Sequence, residues 1–211
     1  MPTDLRDTDV NFTGEFVPDL DSALGRLMTR ICIGTDSRAE LEDRLRWEIA
    51  TDAALRDADI TEAAVPEVVD WLIRDHNKQV LFPSRTALGL ISGLERLTGD
   101  GVVFGFGEGS DVQQALTAVS NAANILLEEG HSVEGYCFST VADVERMIFE
   151  HRLYVGFGVF NQTGDGALAV GEHIAAVFGE NDLQVEWDGS EDHRIQVVGS
   201  YAVPYVDLPV E

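Results

Sequence analysis

The sequence predicts a mixed α/β fold of the α+β kind: a helical N-terminal half packed with a mixed β-sheet covered by helices, ending in a β-hairpin. Three observations carry this expectation. Apolar residues recur at helical spacing up to about residue 98 and then give way to short alternating runs set between further helical segments. The order after Gly101 reads β-α-β-α-β-α-β-β, which suits one sheet with packed helices. No Ser/Pro/Gly-rich linker divides the chain, so one domain over 19–200 is expected, with a helical part at 19–98 and a sheet part at 101–199. An acidic arm at 1–18 and a tail at 201–211 flank it.

Each element has its own signal. Leu20, Leu24, Leu27, Met28 and Ile31 share a helical face, and Gly34 is a natural stop. Ser37 and Glu40 have the spacing of a capping box, opening a helix with Leu41, Leu45 and Ile49 inward. A third helix surrounds Val68, Val69, Leu72 and Ile73, with Pro66 in its first turn. A fourth follows Ser84, with Leu88, Ile91, Leu94 and Leu97 inward, and ends at Thr98–Gly101. Strand-like runs follow at 102–106, 135–138, 153–159, 183–187 and 194–198. Helices fill 110–129 (Ser110 and Gln113 at capping-box spacing), 141–149 and 167–178. In the last hairpin, a loop over 188–192 would set Trp187 opposite His193, Glu186 opposite Arg194, Val185 opposite Ile195 and Leu183 opposite Val197.

Composition narrows the function. With 38 acids against 14 bases the net charge is −24, a field that repels nucleic acids and anionic membranes. Three origins fit that charge: adaptation to salt, solubility, and mimicry of a nucleic acid. The acids are scattered from Asp4 to Glu211 with no block of more than two consecutive acids, a pattern that favours the first two. No apolar run approaches the ~20 residues of a bilayer span, and the acidic first 17 residues lack a secretory pattern, so a cytoplasmic protein is expected. Cys32 and Cys137 lie far apart within apolar segments and read as reduced core residues.

From about Leu24 to Val197 the chain resembles an uncharacterised bacterial family, common in actinobacteria, that is known only as a domain of unknown function. The resemblance rests on Gly135-Tyr136-Cys137-Phe138, Asp143-Val144-Glu145-Arg146, Leu153-Tyr154-Val155-Gly156-Phe157-Gly158 and Val170-Gly171. It closes on Val185-Glu186-Trp187-Asp188-Gly189-Ser190 and Arg194-Ile195, its most specific part. Where relatives tend to carry an aromatic residue, histidine and glutamine after the strand, this chain has Ser139-Thr140-Val141-Ala142. The resemblance implies a fold grouping and supplies no activity.

No coherent catalytic set emerges. No Gly-x-Ser-x-Gly elbow is present, and Cys137 sits between two aromatics in a strand, where a buried thiol is the default. The run Gly105–Ser110 stands where a strand hands over to a helix, but it lacks the third dinucleotide glycine and a P-loop Lys-Ser/Thr, and Glu108 would repel phosphate. Asp188, Glu191, Asp192 and His193 crowd one hairpin tip without matching a cation-loop signature, so neither a metal nor a cofactor is expected. The preferred ligand-binding location is a glycine strip. Gly105 and Gly107 share a face of one strand, and Gly156 and Gly158 share a face of another. If those strands are neighbours, they form a groove edged by Tyr136 and Tyr154. The leading expectation is a non-catalytic interaction or regulatory module of immunity type that neutralises a basic protein partner, with the Tyr201–Tyr205 tail as an exposed docking element. The alternatives are a small-molecule-binding protein or enzyme acting at the glycine strip, and a nucleic-acid mimic.

Overall fold

The computed structural model of the chain describes residues 18–52, 55, 60–160 and 166–207. Most of the arm expected at 1–18, and the tail beyond Asp207, lie outside them. Contacts divide the chain into two compact units. Pro83–Tyr201 form one, and the described residues up to Phe82 together with those from Ala202 form the other.

The first unit is helical. Helix α1 (Ala23–Ile33) starts at Ser22, whose hydroxyl accepts from Gly25 N–H, and stops at Gly34 in the left-handed region at φ 79°. Helix α2 (Arg38–Thr51) opens with the expected Ser37/Glu40 capping box. A 3₁₀ turn (Glu62–Ala64) leads into α3 (Val65–Gln79), with Pro66 in its first turn. The three helices pack on one another through Leu27, Ile31, Leu41, Leu45, Val69 and Leu72, all buried.

The second unit begins with α4 (Arg85–Gly99), followed by β1 (Val102–Phe106), α5 (Val112–Glu128), β2 (Gly135–Ser139), α6 (Val141–Glu150), β3 (Arg152–Gly158), α7 (Ala167–Glu180), β4 (Gln184–Glu186) and β5 (Ile195–Val198). The sheet is mixed, in the order β1-β2-β3-β5-β4. Only β1 and β2 run parallel, which their intervening helix permits. Strand alternation gives the sheet two faces. Val103, Phe138 and Tyr136 meet α5 on one, and Cys137, Leu153 and Val155 pack towards Leu90 of α4 and Phe178 of α7 on the other. Among the described residues no helix is long and apolar enough to cross a membrane.

The structure corrects several details of the sequence reading. By its contacts, helix α4 groups with the sheet, and the sheet unit begins at Pro83. Its phase also differs: Leu88 and Ile91 are exposed, and Ala87, Leu90, Gly93 and Leu97 face inward. Gly89 and Gly93 let α4 approach Asn181, Leu183 and Phe178 closely, and that contact sets the rotation of the helix. Helix α5 is capped by Asp111, which accepts from Gln114 N–H, one residue later than the expected Ser110. The hairpin register is shifted by two residues, pairing Val185 with Val197 and Glu186 with Gln196. The shift keeps every side chain on its expected face. Its cause is a wider loop, closed by the Trp187 indole N–H donating to both Ser190 and His193 carbonyls. The tail is not an exposed element either. Tyr205 is buried, and Tyr201 stacks its ring 5.6 Å from Phe106.

Candidate functional site

The glycine strip does not form a groove. Strand β2 lies between β1 and β3, and Phe138 stands in register between Gly105 and Gly156. A Cβ on Gly156 would lie 2.6 Å from the Phe138 ring, and one on Gly158 would lie 2.5 Å from the Tyr136 hydroxyl. The glycines of β3 are therefore seats for the two aromatics of β2. Gly105 is covered differently, with Val119 of α5 2.9 Å from its would-be Cβ. Gly107 sits in the turn after β1, and Tyr154 lies beneath the Arg146 guanidinium, 5.9 Å from ring to cation.

The aromatics that fill the strip make the floor of a different feature on the same face. A depression of about 260 Å³ is floored by Tyr136, Phe138 and Gly156. Val112 and Leu116 of α5 form one wall, and the hairpin tip from Glu191 to Arg194 forms the other. Of the six positions favoured from sequence, the structure brings Tyr136 and Gly156 into this place, with Gly158 beneath Tyr136. Gly105, Gly107 and Tyr154 stand elsewhere on the unit.

The hairpin tip is held by its own polar contacts. Asp188 accepts from Ser190 N–H and bonds the His193 imidazole at 2.6 Å, and that imidazole first of all holds the Asp188 carboxyl below its usual range. Glu191 accepts from Leu168 N–H at 3.0 Å and so satisfies the first turn of α7, which Gly166 cannot cap with a side chain. Behind the wall, Arg194 lies over the Phe138 ring and donates to Asp143 at 3.0 Å. Asp143 is almost fully buried. It closes the Thr140 capping box of α6 and also accepts from Arg146. The segments on which the resemblance rests thus converge on this depression. Tyr136 and Phe138 supply its floor, Gly156 and Gly158 their seat, and Arg194 part of its wall, bonded to Asp143.

Sequence reasoning missed Asp143, Val112, Leu116 and Arg194. A signal existed for the first, since Thr140-x-x-Asp143 has capping-box spacing. Nothing in the sequence showed that Arg194 would reach across 51 positions to the same carboxylate. Ser139 and Thr140, at the point of departure from the family pattern, have structural tasks here. The Ser139 carbonyl and hydroxyl accept from Glu108 and Gly107 N–H, and Thr140 caps α6. Those bonds also use the amides of the glycine-rich turn, and Ser110 N–H is used by Gln114.

Other reactive groups are withdrawn. Both cysteines are free and buried, and burial pushes each thiol up to about 12, far from a thiolate at neutral pH. Among the described residues no group of three His, Cys, Asp or Glu side chains is placed to hold a metal ion. A second hollow, of about 410 Å³ beside Trp47 on the helical unit, has Arg30 and Arg44 both directed at Asp36.

No curated protein matches the chain, and no solved structure does. A family model does: over residues 19–200 the chain matches, and belongs to, the family described as Domain of unknown function (DUF6891).

Proposed function

We propose that this protein is a non-catalytic interaction module of regulatory or immunity type, acting in the cytoplasm, which takes an apolar anchor side chain of a basic protein partner into the depression between α5 and the hairpin tip. One observation carries the reading: among the described residues, every arginine of the sheet unit lies against a carboxylate, which disfavours an anionic ligand. These are Arg85, Arg96, Arg146, Arg152 and Arg194. The depression joins an apolar floor to a rim carrying Glu191 and Asp192. An aromatic or aliphatic anchor flanked by lysine or arginine complements both features. The anchor supplies affinity by leaving water, and the rim supplies association rate and choice of partner.

The test uses the full chain as bait in lysate of its native host, followed by purified binding. The partner that supports the reading is basic, releases as salt is raised, and is lost with Val112→Glu, which places a charge on the apolar wall while circular dichroism stays unchanged. A partner whose binding ignores both salt and Val112→Glu overturns it.

A further inference from the structure

The helical unit holds an extended peptide. Val203–Asp207 lie along it in a conformation whose alternate side chains turn inward, with Tyr205 buried and Val206 exposed. Asn77 reads the backbone of this segment from both sides. Its side-chain N–H donates to the Tyr205 carbonyl at 3.0 Å, and its side-chain oxygen accepts from Tyr205 N–H at 2.8 Å. One residue earlier in α3, His76 pairs its Nε2 with the Val203 carbonyl at 2.8 Å. Since a carbonyl can only accept, Nε2 carries the proton there. Asp207 accepts from Arg38 N–H at the start of α2, where a negative charge is favoured. Val203 fits against Gly34, where a Cβ would meet it at 2.9 Å.

We propose that this groove of α1, α2 and α3 is a recognition site for an extended Val-Pro-Tyr-Val-Asp segment, filled here by the chain's own tail and open to exchange with the tail of a second copy. The contacts read the backbone and the inward side chains of the segment, and none depends on how it is joined to the rest of the chain. The tail leaves the sheet unit at Tyr201 and joins the helical unit at Ala202, so an exchange needs a change of path only over that short stretch. Its grip is incomplete, because the Tyr205 hydroxyl is buried without a hydrogen-bond partner. A second copy is the occupant whose fit is already visible, since it carries the same segment. The tethered tail competes at an effective concentration of about millimolar, which keeps the exchange a high-concentration event.

The test uses full-length chains and a labelled synthetic peptide covering residues 201–211. A Tyr205→Ala chain, with its own tail weakened, binds the peptide at least about tenfold more tightly than the unmodified chain does. Adding Asn77→Ala to it cuts that affinity by about tenfold, through the loss of two backbone hydrogen bonds. Mixing Asn77→Ala chains (intact tail) with Tyr205→Ala chains (intact groove) gives a 1:1 complex in sedimentation equilibrium, and each alone stays monomeric. If circular dichroism shows that Tyr205→Ala does not fold, Val203→Asp replaces it as the tail variant. A folded tail variant that binds the peptide no better than the unmodified chain, or equally well with Asn77→Ala, overturns the proposal.

Discussion

The two units carry a similar excess of acid and accommodate it in opposite ways. The helical unit buries carboxylates and answers them with arginine: Glu48 is held by both arms of Arg26, and Asp36 by Arg30 and Arg44. Its second helix turns Leu41, Leu45 and Ile49 inward, and its exposed side combines a lattice of Arg38, Glu42, Asp43 and Arg46 with the exposed Trp47. The sheet unit confines strand charge to Arg152 and Glu186, at the ends of β3 and β4 and paired with each other, and α5 has none before Glu128. It allows one deeply buried charge, Asp143, and surrounds it with a cap and two arginines. Among the described residues the three buried carboxylates, Asp36, Glu48 and Asp143, are each held by a fixed arginine, so the acid is paired inside and not diluted. The surfaces differ as well: one unit holds the chain's own tail by its backbone, and the other presents an apolar floor behind an acidic rim.

The largest expected effect falls on the aromatic floor. Gly156→Val puts carbon into the Phe138 ring, and the ring cannot retreat because β1 and β2 fix its strand; about 3 kcal/mol of stability is lost, read from the urea midpoint. The sheet unit should unfold first while Tyr205 N–H in the helical unit keeps its exchange protection. Simultaneous loss of both would show that the two units are one cooperative body. The buried node comes next. Asp143→Ala removes a cap and the shared partner of Arg146 and Arg194, and costs about 2 kcal/mol, at the low end for a buried pair because both arginines can turn to water. Asp143→Asn keeps the cap geometry and should recover about half. A variant pair with equal losses would place the effect in charge and not in shape.

The sequence made some of this legible. The capped helices were readable because their signals are local: Ser37 with Glu40, Ser84, and Gly34 after an apolar run. Strand identity was readable from alternation, as at 153–157. Strand order was not, and that is why the two Gly-Phe-Gly runs, matched in sequence, turned out to be separated by β2. The glycines were rightly singled out as places of close approach, but their neighbour is the chain's own Phe138 and Tyr136. The phase of α4 was misread because its inward face contains glycines, which carry no apolar signal. The Asp143–Arg194 bond and the tail's seat on Asn77 span 51 and 128 positions, beyond the reach of periodicity.

A pH titration sharpens the comparison further, since it acts on the helical unit through His76. His76 is buried against Cys32 Sγ and the Val203 carbonyl, and burial lowers its pKa despite the nearby Asp75. The unfolded chain takes up this proton near the ordinary 6.5 and the native chain only at lower pH. The stability from neutral His76 is therefore full above about pH 6.5 and is lost as pH falls towards the native pKa. The protection factor of Tyr205 N–H, its exchange rate relative to the intrinsic rate at each pH, should fall over that window in the unmodified chain and stay flat with His76→Gln. An equal fall with His76→Gln would move the titrating group elsewhere.

The smallest effect has the opposite sign and isolates what a glycine costs when nothing seats upon it. Gly179 lies inside the last turn of α7, and a Cβ there meets nothing within 4 Å. Its backbone is helical, so alanine adopts it without strain and restricts only the unfolded chain. Gly179→Ala should therefore raise stability by about 0.5 kcal/mol, near the end of a helix where the gain is partial. Gly171, in the same helix, is the paired control. A Cβ there would lie 2.6 Å from the Phe157 ring and 3.0 Å from Trp187, the two aromatics that meet edge-to-face 5.5 Å apart and anchor the hairpin tip. Gly171→Ala should destabilise, and a gain at both positions would mean that the Trp187 contact yields and that the wall of the depression is softer than its hydrogen bonds imply.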